Sequence, residues 1–159
     1  MPMSEKVNNL TDLIRIRGEL KAQGKKVVFT NGCFDLIHVG HIHLFKSAKQ
    51  EGDVLIVAVN DDSSIRKIKG PKRPVFALTE RLEVLEAVEA VDYLVAFSEE
   101  TPIKPISALL PDVLVKGGDW KPEEVVGGTE VKAAGGKIVI VPYLPGYSST
   151  GIINRILNI

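Results

Sequence analysis

The eight residues DVLIVAVN (53–60) narrow the choice of fold more than any other stretch of the chain. The run has strand length and is apolar at almost every position. A strand with one wet face alternates apolar and polar side chains. A strand without that alternation is covered on both faces, as inner strands of parallel sheets are. The rest of the chain supplies the crossovers such a sheet needs. Strand-like runs at 25–30 (KKVVFT), 93–97 (YLVAF), 112–116 (DVLVK) and 137–143 (KIVIVPY) alternate with helical spacing. Helices are read at 9–24, where Leu10, Leu13, Ile14 and Leu20 recur at helical intervals, and at 40–50, 61–68, 79–90, 101–110 and 148–159. Pro102 falls in the first turn of the fifth of these, where proline is tolerated. Strands joined by helices imply right-handed parallel crossovers. The expected fold is α/β, a doubly wound, Rossmann-like parallel sheet of five strands, with ligands at the carboxyl ends of the strands.

Length and composition add boundaries. The 159 residues read as one domain (1–159) with a leading helical segment at 1–24. Twenty Lys and Arg balance twenty Asp and Glu, so there is no basic excess to expect a nucleic-acid partner. The single cysteine, Cys33, excludes an intrachain disulfide and suits a reducing compartment. MPMSEKVNNLTDL lacks the apolar centre of a signal peptide, and no run is long enough to span a membrane. A cytoplasmic location is expected.

The polar features follow strand ends: NGCFD after the first, NDD (60–62) after the second, KGGDW (116–120) after the fourth and GYSST (146–150) after the fifth. In a parallel sheet those ends share one edge, so the chain predicts one site assembled from distant pieces. In HVGH, His38 and His41 lie at the first turn of a helix, where free N–H groups and the helix dipole favour an anion. Gly40 is expected to let a phosphate approach the backbone, and the imidazoles to donate to phosphoryl oxygens, more strongly when protonated. Helix-capping histidines are the plainer alternative. A zinc site is disfavoured because it needs four ligands and His43 is expected to point elsewhere. Asp35 reads either as a carboxylate bonding turn amides or as a group near a substrate hydroxyl or a metal. Phe34 reads as core, and Trp120 as packing more than base stacking.

Of Ser148, Ser149 and Thr150, one suffices as a helix cap; three in a row suggest a second anion site, with Arg155 a turn further on. The loop KIKGPKRPV carries Lys67, Lys69, Lys72 and Arg73 and is either a solvated face or a mobile clamp over phosphates. Lys116 is placed to reach a phosphate and Asp119 a ribose or base. Neither glycine-rich phosphate fingerprint, GxxxxGKS/T or GxGxxG, is present.

With these residues together, the chain resembles the nucleotidyltransferase superfamily marked by an HxGH motif, here His38-Val39-Gly40-His41, with an SST…R element at Ser148-Ser149-Thr150 and Arg155. Within it, TNGCFDLIHVGH, GDVLIVAVNDD, KGPKRPV, LEAVEAVDYLV and LLPDVLVKGGDWKPEEVVGG are most similar to the branch that makes ADP-heptose from heptose 1-phosphate and ATP.

The resemblance implies in-line attack of the sugar phosphate on the α-phosphorus of ATP, with pyrophosphate leaving and no covalent enzyme intermediate. It implies that His38 and His41 hold the triphosphate, and that Lys69 and Arg73 neutralise the pyrophosphate or the sugar phosphate. Ser148, Ser149 and Thr150 would bind phosphate. Lys116, Gly118 and Asp119 would line the nucleotide side, and Asn31, Gly32 and Phe34 would shape the cleft beside Gly40. Asp35 and Asn60 would meet the sugar substrate. Mg²⁺ would arrive with ATP, without a dedicated carboxylate cage. A homodimer is consistent with the resemblance. In many bacteria this branch is fused to a sugar kinase, so another chain is expected to supply the sugar 1-phosphate here. The competing readings are a glycerol-phosphate-type cytidylyltransferase, against which the absent RTEGIST segment counts, and a catalytically silent nucleotide-binding protein.

Overall fold

The computed structural model describes residues 4–159. Five parallel strands, β1 (Val27–Gly32), β2 (Val54–Asn60), β3 (Tyr93–Phe97), β4 (Val113–Gly117) and β5 (Lys137–Val141), form one sheet in the order β3-β2-β1-β4-β5. The chain builds outward from β1 through β2 to β3, then returns to the other flank of β1 for β4 and β5. The order reverses between β1 and β4, which opens a crevice at their carboxyl ends.

All seven residues of β2 are buried, as its unbroken apolar run requires. Alternate side chains feed two cores. Phe29, Ile56, Ala58 and Leu114 pack with Leu13 and Leu20 of α1 (Leu10–Ala22) and Ile106 of α5 (Ile103–Leu109). Val28, Leu55, Val57 and Val115 pack with Phe45 and Ala48 of α2 (Val39–Lys49) and Leu85 of α4 (Leu78–Glu86). The edge opposite the crevice is tied down by side chains. Asp112 accepts the Val27 N–H at 2.8 Å and pairs with Arg17, which also donates to the Leu109 and Leu110 carbonyls. Asp92 accepts from the Leu55 N–H and from Lys49.

Several boundaries differ from the sequence reading. The first strand runs two residues further, so Asn31 and Gly32 belong to β1 rather than to the turn after it. The helix read at 79–90 ends at Glu86; Val88 and Val91 close successive turns onto Leu85 and Val88 and feed β3. Pro102 precedes α5 instead of opening it, and Pro105 takes a first-turn position that has no intrahelical N–H bond to lose. Of the leading segment, Met1 to Met3 lie outside the described residues, and Val7 makes a parallel bridge to Leu94 along the outer edge of β3. That bridge covers backbone groups an edge strand would otherwise expose. No helix among the described residues is long and apolar enough to cross a membrane.

Candidate active site

The first turn of α2 is capped by its own imidazoles. His38 is the extended residue before the helix, and its Nδ1 accepts the Gly40 N–H at 3.1 Å. The His38 N–H in turn donates to Nδ1 of His41 at 3.3 Å. A ring nitrogen that accepts carries no proton, so each neutral ring holds its proton on Nε2. The rings stack with centroids 3.9 Å apart and 28° between planes. Burial lowers the pKa of both. For His41 burial, His38 and Lys69 together bring it down to about 4. At neutral pH the pair is therefore uncharged, and its donors are two Nε2–H groups, without the strengthening that protonation would add. Nδ1 of each ring serves the cap, and Nε2–H is left for a ligand.

Gly40 has a steric reason as well. A Cβ there would lie 2.8 Å from Cε1 and 2.9 Å from Nδ1 of His38. The missing side chain makes room for the His38 ring, and Gly40 stands on the wall of the cavity beside it.

Helix α7 (Ser149–Leu157) points its start at the same place. Ser148 is the cap and accepts the Gly151 N–H at 2.9 Å, while Ser149 donates to the Leu36 carbonyl at 3.3 Å and ties α7 to the turn before α2. Thr150 and Arg155 are exposed. Two of the three hydroxyls thus hold the helix start in place, and its free N–H groups are of the kind that favour an anion. His38, His41, Lys69 and residues 148–151 surround a cavity of about 630 Å³. Lys69 is the last residue of α3 (Asp62–Lys69) and lines the same cavity as the histidines. His43 lines the same cavity, contrary to expectation. Val141, Pro142, Tyr143 and Tyr147 supply an apolar wall, and no lining residue is acidic.

A smaller cavity of about 310 Å³ lies on the other side of the β1–β4 crevice, lined by Asn31, Gly32, Cys33, Asn60, Lys116 and Trp120 among others. Successive residues of a strand face opposite ways, which sends Lys116 to this cavity and Gly117 to the histidine cavity. Lys116 therefore does not line the side that carries the histidines. Burial lowers its pKa, and its ammonium stands 5.3 Å from the Trp120 ring centroid. Trp120 is 43% exposed and is a wall of the cavity, not core packing. Asn60 is nearly buried and its amide donates to Ser64 Oγ at 2.8 Å.

Four residues expected at a ligand are placed otherwise. Phe34 is buried, with its ring edge-on to His41 at 5.3 Å and tilted on Phe45 at 5.1 Å. It supports a histidine instead of lining the cleft. Gly118, with φ of +117°, sits beneath Tyr143, whose ring a Cβ would meet at 2.6 Å. Asp119 is exposed and on neither cavity wall. Asp35 is 2% exposed, and its carboxylate is fully engaged by the N–H groups of Val75 (2.8 Å) and Phe76 (3.0 Å) and by Nε of Arg73 (2.7 Å). Burial alone would raise its pKa; those amides and the guanidinium more than reverse this and hold it below the ordinary carboxylate value.

The same contacts make Arg73 the anchor of its loop through Nε, while its Nη2 is buried without a partner among the described residues. Residues 70–77 include two prolines and no regular ladder, so the amides at 75 and 76 need an acceptor, and Asp35 supplies it. Lys67 and Lys72 remain solvated.

One residue at this edge escaped the sequence reading. Arg81 is buried and bonds the carbonyls of Cys33 and Asn60, two residues of the smaller cavity's wall. Its spacing was a signal: it falls on the face of α4 with Leu78 and Leu85, where a cation needs partners.

Residues 29–155 match the family model described as cytidylyltransferase-like. The chain is 49% identical over 153 residues to the bifunctional protein HldE of Geobacter metallireducens, covering 96% of this chain and 31% of that protein. It is 51% identical over 138 residues to the bifunctional protein HldE of Chromohalobacter salexigens, covering 87% and 29%. The chain thus spans about a third of the length of the curated relatives it matches. Among solved structures, the lipopolysaccharide core biosynthesis protein of Thermoplasma volcanium GSS1 superposes with a TM-score of 0.63 at 31% identity, over 76% of this chain and 98% of that one. The pantoate-beta-alanine ligase of Francisella tularensis shares the fold, with a TM-score of 0.59 at 22% identity over 97% and 78%.

Proposed function

Because this chain belongs to the cytidylyltransferase-like family, we propose that it transfers the AMP of ATP to a sugar 1-phosphate, D-glycero-D-manno-heptose 1-phosphate, giving ADP-heptose and pyrophosphate. The observation that carries this reading is the histidine cavity. Two Nε2–H donors, the Lys69 ammonium and the start of α7 converge on about 630 Å³ with no acidic lining residue and an apolar wall beside them. That combination suits a triphosphate with its base against the Tyr143 side. The smaller cavity, with Lys116 for a phosphate and Asn31 and Asn60 for hydroxyls, is assigned to the acceptor. A sugar-phosphate oxygen attacks the α-phosphorus from that side, the bond to the β-phosphate oxygen breaks, and pyrophosphate leaves beside Lys69. The residues act by orienting the reactants and stabilising developing charge.

Among the described residues there is no cluster of three or more His, Cys, Asp and Glu that would hold a metal. The residues around the triphosphate site do not form a magnesium cage. In this reading Mg²⁺ enters as the ATP complex, held by phosphate and water.

The heptose assignment is supported by the resemblance of the strand-end motifs and by near-half identity to proteins named HldE. The likeness to a lipopolysaccharide core biosynthesis protein supports a role in envelope glycan assembly. The test is pyrophosphate release with both anomers of the heptose 1-phosphate and with glycerol phosphate, each with ATP and with CTP. Release with ATP and one anomer is expected. Release only with CTP and glycerol phosphate would move the protein to the cytidylyltransferase reading, and silence with every pair would leave a nucleotide-binding protein.

A further inference from the structure

Among the described residues the bulkiest fully buried side chain is a cation. Arg81 is 1% exposed. Its Nη1 donates to the carbonyls of Cys33 (2.6 Å) and Asn60 (2.8 Å), its Nε to the carbonyl of Phe76 (3.1 Å), and its Nη2 to Asp62 Oδ1 (2.8 Å). Burying a guanidinium is costly, and an apolar side chain would fill the same volume more cheaply. What an apolar side chain cannot do is hold four acceptors in one plane.

The four acceptors come from four segments. Cys33 begins the turn after β1 and precedes Phe34, the residue whose ring supports His41. Asn60 ends β2 on the wall of the smaller cavity. Asp62 opens α3, the helix that ends at Lys69 roughly 10 Å further along its axis. Phe76 is the residue whose N–H is held by Asp35, and Arg81 holds the carbonyl of the same residue, in the next peptide. The turn after β1, the end of β2, the start of α3 and the loop at Phe76 are joined at this one side chain.

We infer that Arg81 is a positioning residue: it fixes the β1 turn, the end of β2, α3 and the basic loop relative to one another, and through α3 it sets where Lys69 stands in the triphosphate cavity. It touches no substrate. A lysine could not substitute, because its single nitrogen lacks the planar fork. The catalytic part of this inference rests on the function proposed above; the conformational part does not.

The experiment compares Arg81→Lys with Arg17→Lys, a second buried arginine that bonds carbonyls at the opposite edge of the sheet, far from either cavity. Two readouts are used on folded protein. The first is turnover: Arg81→Lys is expected to lower kcat about tenfold or more with the KM for ATP within about threefold, and Arg17→Lys to leave kcat within about twofold. In a Lys69→Ala background the further effect of Arg81→Lys should shrink to less than about threefold, because the two act as a unit. Full additivity would overturn the relay through α3.

The second readout is alkylation of Cys33 by iodoacetamide, unambiguous because it is the only cysteine. Releasing the Cys33 peptide is expected to speed alkylation about tenfold in Arg81→Lys and less than about twofold in Arg17→Lys. Equal acceleration in both, or none in Arg81→Lys, would reduce Arg81 to a structural arginine. Should wild type show no turnover, the proposed function falls and the alkylation comparison still decides this inference. Should Arg81→Lys fail to fold, Asp62→Asn loosens one of the four bonds and is expected to move both readouts the same way by about threefold; no movement would overturn the inference.

Discussion

Replacing Gly40 with alanine separates the site from the fold. The new Cβ would lie 2.8 Å from Cε1 and 2.9 Å from Nδ1 of His38, and 3.4 Å from Cβ of Tyr147. The first two distances are closer than carbon and nitrogen tolerate, so the His38 ring must withdraw by roughly half an ångström or more. Its bond from the Gly40 N–H, 3.1 Å long, breaks with it. That loss is about 0.5–1.5 kcal/mol. Against it stands the helix preference of alanine over glycine, up to about 1 kcal/mol. The two nearly cancel, so the melting temperature should move by less than about 4 °C. Turnover responds differently. A displaced His38 no longer stacks on His41 or aims Nε2–H at the phosphates, and misplacement on this scale lowers turnover about tenfold to a hundredfold. The assay is initial-rate pyrophosphate release beside a thermal melt. In a His38→Ala background the same substitution should have almost no effect, since the ring it displaces is gone. Wild-type turnover in Gly40→Ala, or the same loss with and without the His38 ring, would refute the reasoning.

Three further predictions concern separate parts of the molecule. His41 has its folded pKa depressed to about 4 from an ordinary 6.5. The unfolded chain therefore binds more protons between those values, and the ligand-free protein should lose stability as pH falls from 6.5 towards 4. The full displacement is worth about 3 kcal/mol, which partial exposure reduces to about 1–2 kcal/mol. Melts of His41→Asn should show a flatter slope across that window, and an unchanged slope would place the titration elsewhere. Asp35→Asn removes the charge that holds Arg73 and should destabilise by about 3 kcal/mol, whereas Lys72→Ala on the solvated part of the same loop should stay within about 0.5 kcal/mol; denaturant unfolding distinguishes the two, and equal effects would remove Asp35 from the loop's anchoring. Lys116→Ala should raise the KM for the sugar phosphate about tenfold or more with the KM for ATP unchanged. The reverse pattern would exchange the two cavities.

How much was legible in the sequence follows from which interactions are local. The burial of β2 on both faces was written in eight consecutive residues, because a strand's environment is set by its own alternation. The alternation of strands and helices implied a parallel sheet, and a parallel sheet puts all strand ends on one edge, so NGCFD, NDD, KGGDW and GYSST were brought to that edge by topology alone. Residue-level roles at the edge were not legible. Asp35 and Arg73 are 38 positions apart and meet only because a loop crosses the first strand's turn. Arg81 reaches Cys33 over 48 positions and Asn60 over 21. Lys116 and Gly117 are adjacent in the chain yet open onto different cavities, since the pleat turns them to opposite faces.

Local periodicity therefore determined which elements form, which faces they bury and where the site lies. The tertiary structure alone decided which polar groups are left for a ligand. A carboxylate, guanidinium or imidazole nitrogen is available only if no buried N–H or C=O has already claimed it, and that claim is settled by distances across the folded chain.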